Sequence, residues 1–287
     1  MPDYLFIWDT TKGDNMLQEA WQLLELQFNE CLKIVKDDEF YRGYTMEKWR
    51  HSKQVAGAGN YIIPKIEWLK EKSSEYLEMV RTAVLLHDVC RFTEIEYRFN
   101  NKGKYDHGVG ASELLKHTPM FNDIRIWLPI KHHGHRIEDL YNDDVYQNIA
   151  DKSLQKEVEL ICFIIRDADK IANLNMMINE SNVLHLFLGN GTGDKVKDGQ
   201  VSKIVKDVAF REDSTPRFEG ATQGDHIISY VSWFFDINYK YSIDYCRKLN
   251  IISGLIKMFE KYCSDDEFKR EYIDFVNKYI QNHDFLR

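Results

Sequence analysis

Ten histidines lie unevenly along this chain. His51 opens HSKQVAGAGNYI. His87 and Asp88 end the apolar run AVLL. His107 lies in DHGVGASELL, His132, His133 and His135 share IKHHGHR, and Asp167 and Asp169 share IIRDADKIANL. Each group falls on or beside a segment whose apolar spacing makes a buried face. One such histidine is ordinarily a hydrogen-bonded core residue. Several of them on separate helices, together with aspartates, need a common partner, because each buried polar group left unpaired costs roughly 1–3 kcal/mol. A shared divalent cation is such a partner, since imidazole nitrogen and carboxylate oxygen become its ligands.

The elements that must position these groups are helices. Residues 16–35 set Leu17, Trp21, Leu24 and Phe28 on one face. Residues 46–63 read as a helix that stops at Pro64. Residues 73–88 put Tyr76, Val80, Ala83 and His87 on one stripe. Residues 106–115 do the same with His107, Gly110, Ala111 and Leu114, and residues 124–133 with Ile126, Ile130 and His133. Residues 154–177 are apolar nearly all round, the mark of a buried helix. Residues 223–262 read as one or two aromatic-rich helices, and 265–281 as the last. Hairpin signals are scarce, so the expected class is all-α. The glycine-rich stretch LGNGTGDKVKDGQ (188–200) and residues 216–220 are expected loops. The G-x-G in the former lacks the strand before it and the G-K-[ST] after it that a phosphate loop needs.

Composition bounds the rest. A chain of 287 residues can bury a sizeable core. With 38 Lys and Arg against 46 Asp and Glu the net charge is −8, and no basic tract stands out, which argues against general nucleic-acid binding. A small anionic substrate remains compatible, since a metal ion reverses the local field. The five cysteines form no C-x-x-C pair and are odd in number, so free thiols in a reducing, cytoplasmic setting are expected. The N-terminal stretch reads as neither signal peptide nor anchor, and no apolar run is long enough to span a membrane.

The segments HSKQVA, AVLLHDVCRF, DHGVGASELL, IKHHG and RDADKIANL, in this order, resemble the HD-domain superfamily of metal-dependent phosphohydrolases, and most closely a branch with HDxGRF-like and RDADK-like wording. The resemblance covers roughly residues 46–178. It implies an HD-type helical bundle at 46–180, preceded by a helical segment (1–45) and followed by a glycine-rich loop and C-terminal helices (181–287) packed on that core. It implies His51, His87, Asp88 and Asp169 as ligands of a first metal, with Asp88 able to bridge to a second. His107 and the His132–His133 pair would complete a dinuclear site. Adjacent helical residues differ by about 100°, so those two histidines are not equivalent, and which one ligates stays open. Asp167 is the lesser ligand candidate, suited to orienting a histidine or arginine.

Iron, manganese, cobalt, nickel and zinc all suit such a mixed nitrogen and oxygen set. A metal-activated hydroxide would attack the phosphorus of a nucleotide or another small phosphorylated metabolite. His87 and Asp88 would stand at the catalytic centre. Arg91, in the RF that follows the HD pair, is the candidate to neutralise phosphate charge. Lys131 is a lesser candidate for the same part, with a surface or salt-bridging role the stronger expectation, and His135 is expected at the rim. No organic cofactor is implied. Two departures matter: Cys90 stands where the family has glycine, and HHG followed by HRIEDLYND lacks the GYP loop of the cyclic-dinucleotide phosphodiesterases. The same scaffold also serves di-iron oxygenases, and a non-catalytic metal-stabilised regulatory module is a third alternative. The aromatic run Tyr230–Tyr241 reads as core or dimer contact, and a homodimer is the expected assembly.

Overall fold

A computed structural model describes residues 15–179, 199–215 and 221–282. Among these residues every regular element is a helix and none is a strand, as expected. The expected loop at 216–220, and all but the last two residues of the one at 188–200, lie outside the described residues. The described residues fall into two compact units. One takes in residues 15–49 and 71–161, the other residues 50–70 and those from 162 on.

In the first unit, helix α1 (Asn15–Ile34) buries Leu17, Ala20, Leu24, Phe28 and Cys31, with Val35 just beyond it. The alternation of three and four residues keeps them on one face. Trp21 stands beside that stripe and meets the Trp49 ring edge-on. Helix α2 (Glu39–Ile62) starts seven residues before the expected Met46. Asp38 supplies the start signal, its carboxylate accepting from the Tyr41 N–H at 2.9 Å. Pro64 ends the helix in a single 3-10 turn. Helix α3 (Ser74–Leu86) is capped by Ser73 and runs into the tight turn His87–Cys90.

A helix that the apolar pattern does not announce follows at once, α4 (Arg91–Phe99). Helices α5 (His107–Lys116) and α6 (Ile124–His132) are capped by Asp106 and Asp123. In this unit α1 packs on α3 and α4, and α6 packs on α3 and α5. The α5–α6 approach depends on Gly108, where a Cβ would lie 2.9 Å from the Lys131 carbonyl oxygen and 3.3 Å from that of Ile130. The buried face of α5 is therefore Gly108, Ala111, Ser112 and Leu115, one turn-step away from the expected stripe. Gly110 instead lies beneath the Tyr105 ring.

Helix α9 (Lys152–Asn179) is buried on every side from Ile161 to Ala168, as its apolar run predicts. Two short helices, α7 (Ile137–Tyr141) and α8 (Asp144–Gln147), precede it, and the border between units crosses it after Ile161. The second unit continues through α10 (Lys203–Lys206), α11 (Gln223–Val231), α12 (Lys240–Lys248), α13 (Ile251–Tyr262) and α14 (Asp266–Asn282). Residues 223–262 thus hold three helices and a 3-10 turn rather than one or two helices. Asn250, at φ 58°, makes the break between α12 and α13, a conformation asparagine tolerates better than most residues. Half of the aromatic side chains in the run 230–241 go to the core: Tyr230, Phe234 and Tyr239 are buried, and Trp233, Phe235 and Tyr241 are half-buried. All five cysteines are free and buried. No described helix is long and apolar enough to cross a membrane.

Candidate metal centre

The end of α3 aims His87 inward because Ala83 and Val80, one and two turns earlier, are fully buried on the same stripe. The turn that follows leaves Asp88 almost wholly buried. Three imidazoles of the first unit converge on its carboxylate. His107 Nε2, from the first residue of α5, lies 3.1 Å from Asp88 Oδ1. His133 Nε2, just past α6, lies 3.4 Å from the same oxygen, and His87 Nε2 lies 3.8 Å from Oδ2.

The other ring nitrogens say which tautomers these are. His87 Nδ1 donates to the Val84 carbonyl at 2.9 Å, and His133 Nδ1 to that of Ile130 at 2.7 Å. With Nδ1–H given to backbone, Nε2 is the nitrogen each ring turns toward the carboxylate, and in the neutral ring it carries the lone pair. A cation shared by those nitrogens and the carboxylate satisfies both. Imidazoles held through Nδ1–H by a carbonyl, with Nε2 turned inward, are the ordinary arrangement around a metal ion. His87, Asp88 and His133 each place a ligand atom within 4.8 Å of the others, so the donor set fits a divalent ion.

His107 differs in its second nitrogen, which donates to a carboxylate: Nδ1 lies 3.1 Å from Glu94 Oε2. Glu94, on α4, is the site residue that the sequence pattern does not single out. Its only signal is its position three residues after Arg91. Arg91 itself donates to Glu94 at 2.5 Å, to both oxygens of Asp88 at 3.3 Å, and to His107 Nε2 at 2.8 Å. Arg98 also pairs with Glu94. Burial opposes ionisation of Asp88, but the Arg91 guanidinium above all overcomes it and holds the carboxyl well below the usual range. Burial likewise opposes Glu94, which His107 and Arg91 bring down to about 2. Burial lowers His107, yet the two carboxylates raise it above its ordinary value.

His132 is not brought to this cluster. Its Nε2 faces Asp143 Oδ2 at 2.9 Å, an oxygen that also takes the Lys131 ammonium at 2.6 Å. Burial lowers the His132 value, and Asp143, despite its own burial, falls to about 2 between these two bases. Lys131 makes the expected salt bridge. His135 is exposed, 3.3 Å from Asp106.

In the second unit, His51 Nε2 lies 2.9 Å from Asp169 Oδ1, and Asn173 Nδ2 donates to the same oxygen at 2.8 Å. Asp167, two residues away, orients neither a histidine nor an arginine. It accepts from the Asn238 N–H at 3.0 Å, the Tyr239 N–H at 3.0 Å, Asn238 Nδ2 at 2.9 Å and Ser242 Oγ at 2.7 Å. It thereby anchors the two residues that lead into α12, and the Ser242 hydroxyl of its first turn, from another helix. Arg166 and Lys170 both pair with Asp236.

The chain has no match among the curated proteins or the solved structures. The family model for the HD domain matches residues 49–174, the stretch that contains all these histidines and aspartates except Asp236. With its helices, its ligand geometry and this match taken together, the chain carries an HD domain at residues 49–174.

Proposed function

We propose that the protein is a metal-dependent phosphohydrolase acting on a nucleotide or another small phosphorylated metabolite. One observation carries this: His87 and His133 spend Nδ1–H on backbone carbonyls and turn both Nε2 lone pairs toward Asp88. The resemblance adds His51 and Asp169 as ligands and sets His107 with the His132–His133 pair; of that pair His133 is the one that faces Asp88, while His132 faces Asp143. A divalent ion bound there would acidify a water and draw phosphate oxygens. The chain's own part is to hold the ring tautomers through Val84 and Ile130, to keep Asp88 ionised through Arg91, and to place positive charge beside the bound anion.

The test is metal analysis of the purified chain, followed by a screen for phosphate release. Nucleotides and simple phosphate esters would be offered with manganese, cobalt, nickel, zinc or ferrous iron. Release that a chelator abolishes, and that H87A and D88A lack while remaining folded, is the expected result. No release with any of these metals would overturn the proposal.

A further inference from the structure

The guanidinium of Arg91 occupies a particular place. Its Nη2 stands 2.8 Å from His107 Nε2 and 3.3 Å from Asp88 Oδ1, while its Nε stands 3.3 Å from Asp88 Oδ2. Asp88 and His107 are the two groups that a second metal ion would have to share. Arg91 already sits against both, as a planar fork across the carboxylate and a donor to the imidazole lone pair.

The fork is held from behind as well. Its Nη1 donates to Glu94 Oε2, and Glu94 is in turn fastened by Arg98 and by His107 Nδ1–H. The backbone adds to this: the Arg91 N–H donates to the Asp88 carbonyl at 2.9 Å, so the two residues are tied by their own turn. The Arg91 side chain is about one-fifth exposed, so moving it out would strand Glu94, which is nearly buried, beside Asp88. A dication entering the second position would meet a fixed positive charge at close range.

We propose that Arg91 is the resident cation of the second position. On the metal-site reading above, on which this rests, the chain then takes up one divalent ion rather than two. The substrate phosphate meets one metal ion and one guanidinium. Glu94 is the positioning residue that keeps both Arg91 and the His107 tautomer in place.

The experiment uses the full chain, stripped with a chelator and dialysed against Mn²⁺. Bound metal is measured by elemental analysis and by electron paramagnetic resonance, in which two neighbouring Mn²⁺ ions give an exchange-coupled spectrum. Wild type should bind about one ion per chain with an uncoupled spectrum. R91M should bind about two, with coupling, and R91K, which keeps the charge, should stay near one. If R91M does not fold, as judged by circular dichroism, R91Q takes its place. Two coupled ions in wild type would overturn this inference and leave the metal-dependent activity standing. One ion in both wild type and R91M would also overturn it, since Arg91 would not be what limits the site. Failure of wild type to bind any Mn²⁺, together with no phosphate release in the screen above, would count against the phosphohydrolase itself.

Discussion

Each unit buries an aspartate, and the two are satisfied in opposite ways. In the first, Asp88 is met by the Arg91 guanidinium and by imidazoles whose lone pairs point at it. In the second, Asp167 accepts from two backbone N–H groups, a side-chain amide and a hydroxyl, all neutral donors. Burial raises the Asp167 carboxyl above its usual value even against Lys170. Positive charge holds that of Asp88 below. A carboxylate whose lone pairs are filled by neutral donors has finished its work when the chain folds. One faced by other lone pairs has room for an ion. Buried aspartate alone therefore marks no function; the donors around it do.

The sharpest way to break this contrast is D167A. It would leave the Asn238 and Tyr239 N–H groups and the Ser242 hydroxyl without their acceptor, at a cost of about 3–5 kcal/mol in urea unfolding. The metal content of whatever folds should be unchanged. D88A should show the reverse: lost metal, and a smaller stability change in chelated protein. Equal destabilisation by the two would erase the distinction.

Acid unfolding of the chelated protein separates them by sign. Glu94 has a depressed folded value, so its stabilisation is present above its unfolded pKa near ~4.3 and is lost as pH falls toward about 2. That loss amounts to at most about 3 kcal/mol. Asp167 has a raised folded value, so its contribution falls as pH rises through the window above ~3.9. The urea midpoint of E94Q should therefore depend less steeply on acid than that of wild type. A slope as steep as wild type would show that Glu94 is not ionised as described.

Two glycines give smaller effects of opposite sign. G108A pushes a Cβ against the backbone of α6, costing about 1–3 kcal/mol. It should also weaken metal binding, because His133 directly follows α6. G57A meets nothing within 4 Å inside α2. It should stabilise by about 0.5–1 kcal/mol and leave metal content alone. Thermal melts with and without metal read both.

Much of this was legible in the chain itself. Apolar spacing placed α1, α3, α6 and α9, because a buried stripe repeats every 3.6 residues whatever it packs against. The order of histidines and aspartates announced the HD domain, and their burial on separate helices announced clusters that could hold a metal. The start of α2 and the whole of α4 were not legible. Glu39 to Thr45 and Arg91 to Phe99 carry short or mixed apolar patterns, and it is a cap at Asp38 and a network around Glu94 that support them.

Residue types and spacing determined the class of fold, the HD domain and the candidate donors. Only the tertiary structure decided which neighbour each donor meets. His133 rather than His132 faces Asp88, because the two diverge around the end of α6 and Asp143 claims the other. Asp167 became the anchor of the segment leading into α12, because residues 238–242 bring their donors to it across more than seventy positions of sequence. Gly108 rather than Gly110 lets α5 and α6 close. A pattern along one chain reports which way a side chain points from its own helix. What waits there is set by other segments, whose distance in sequence carries no trace of their nearness in space.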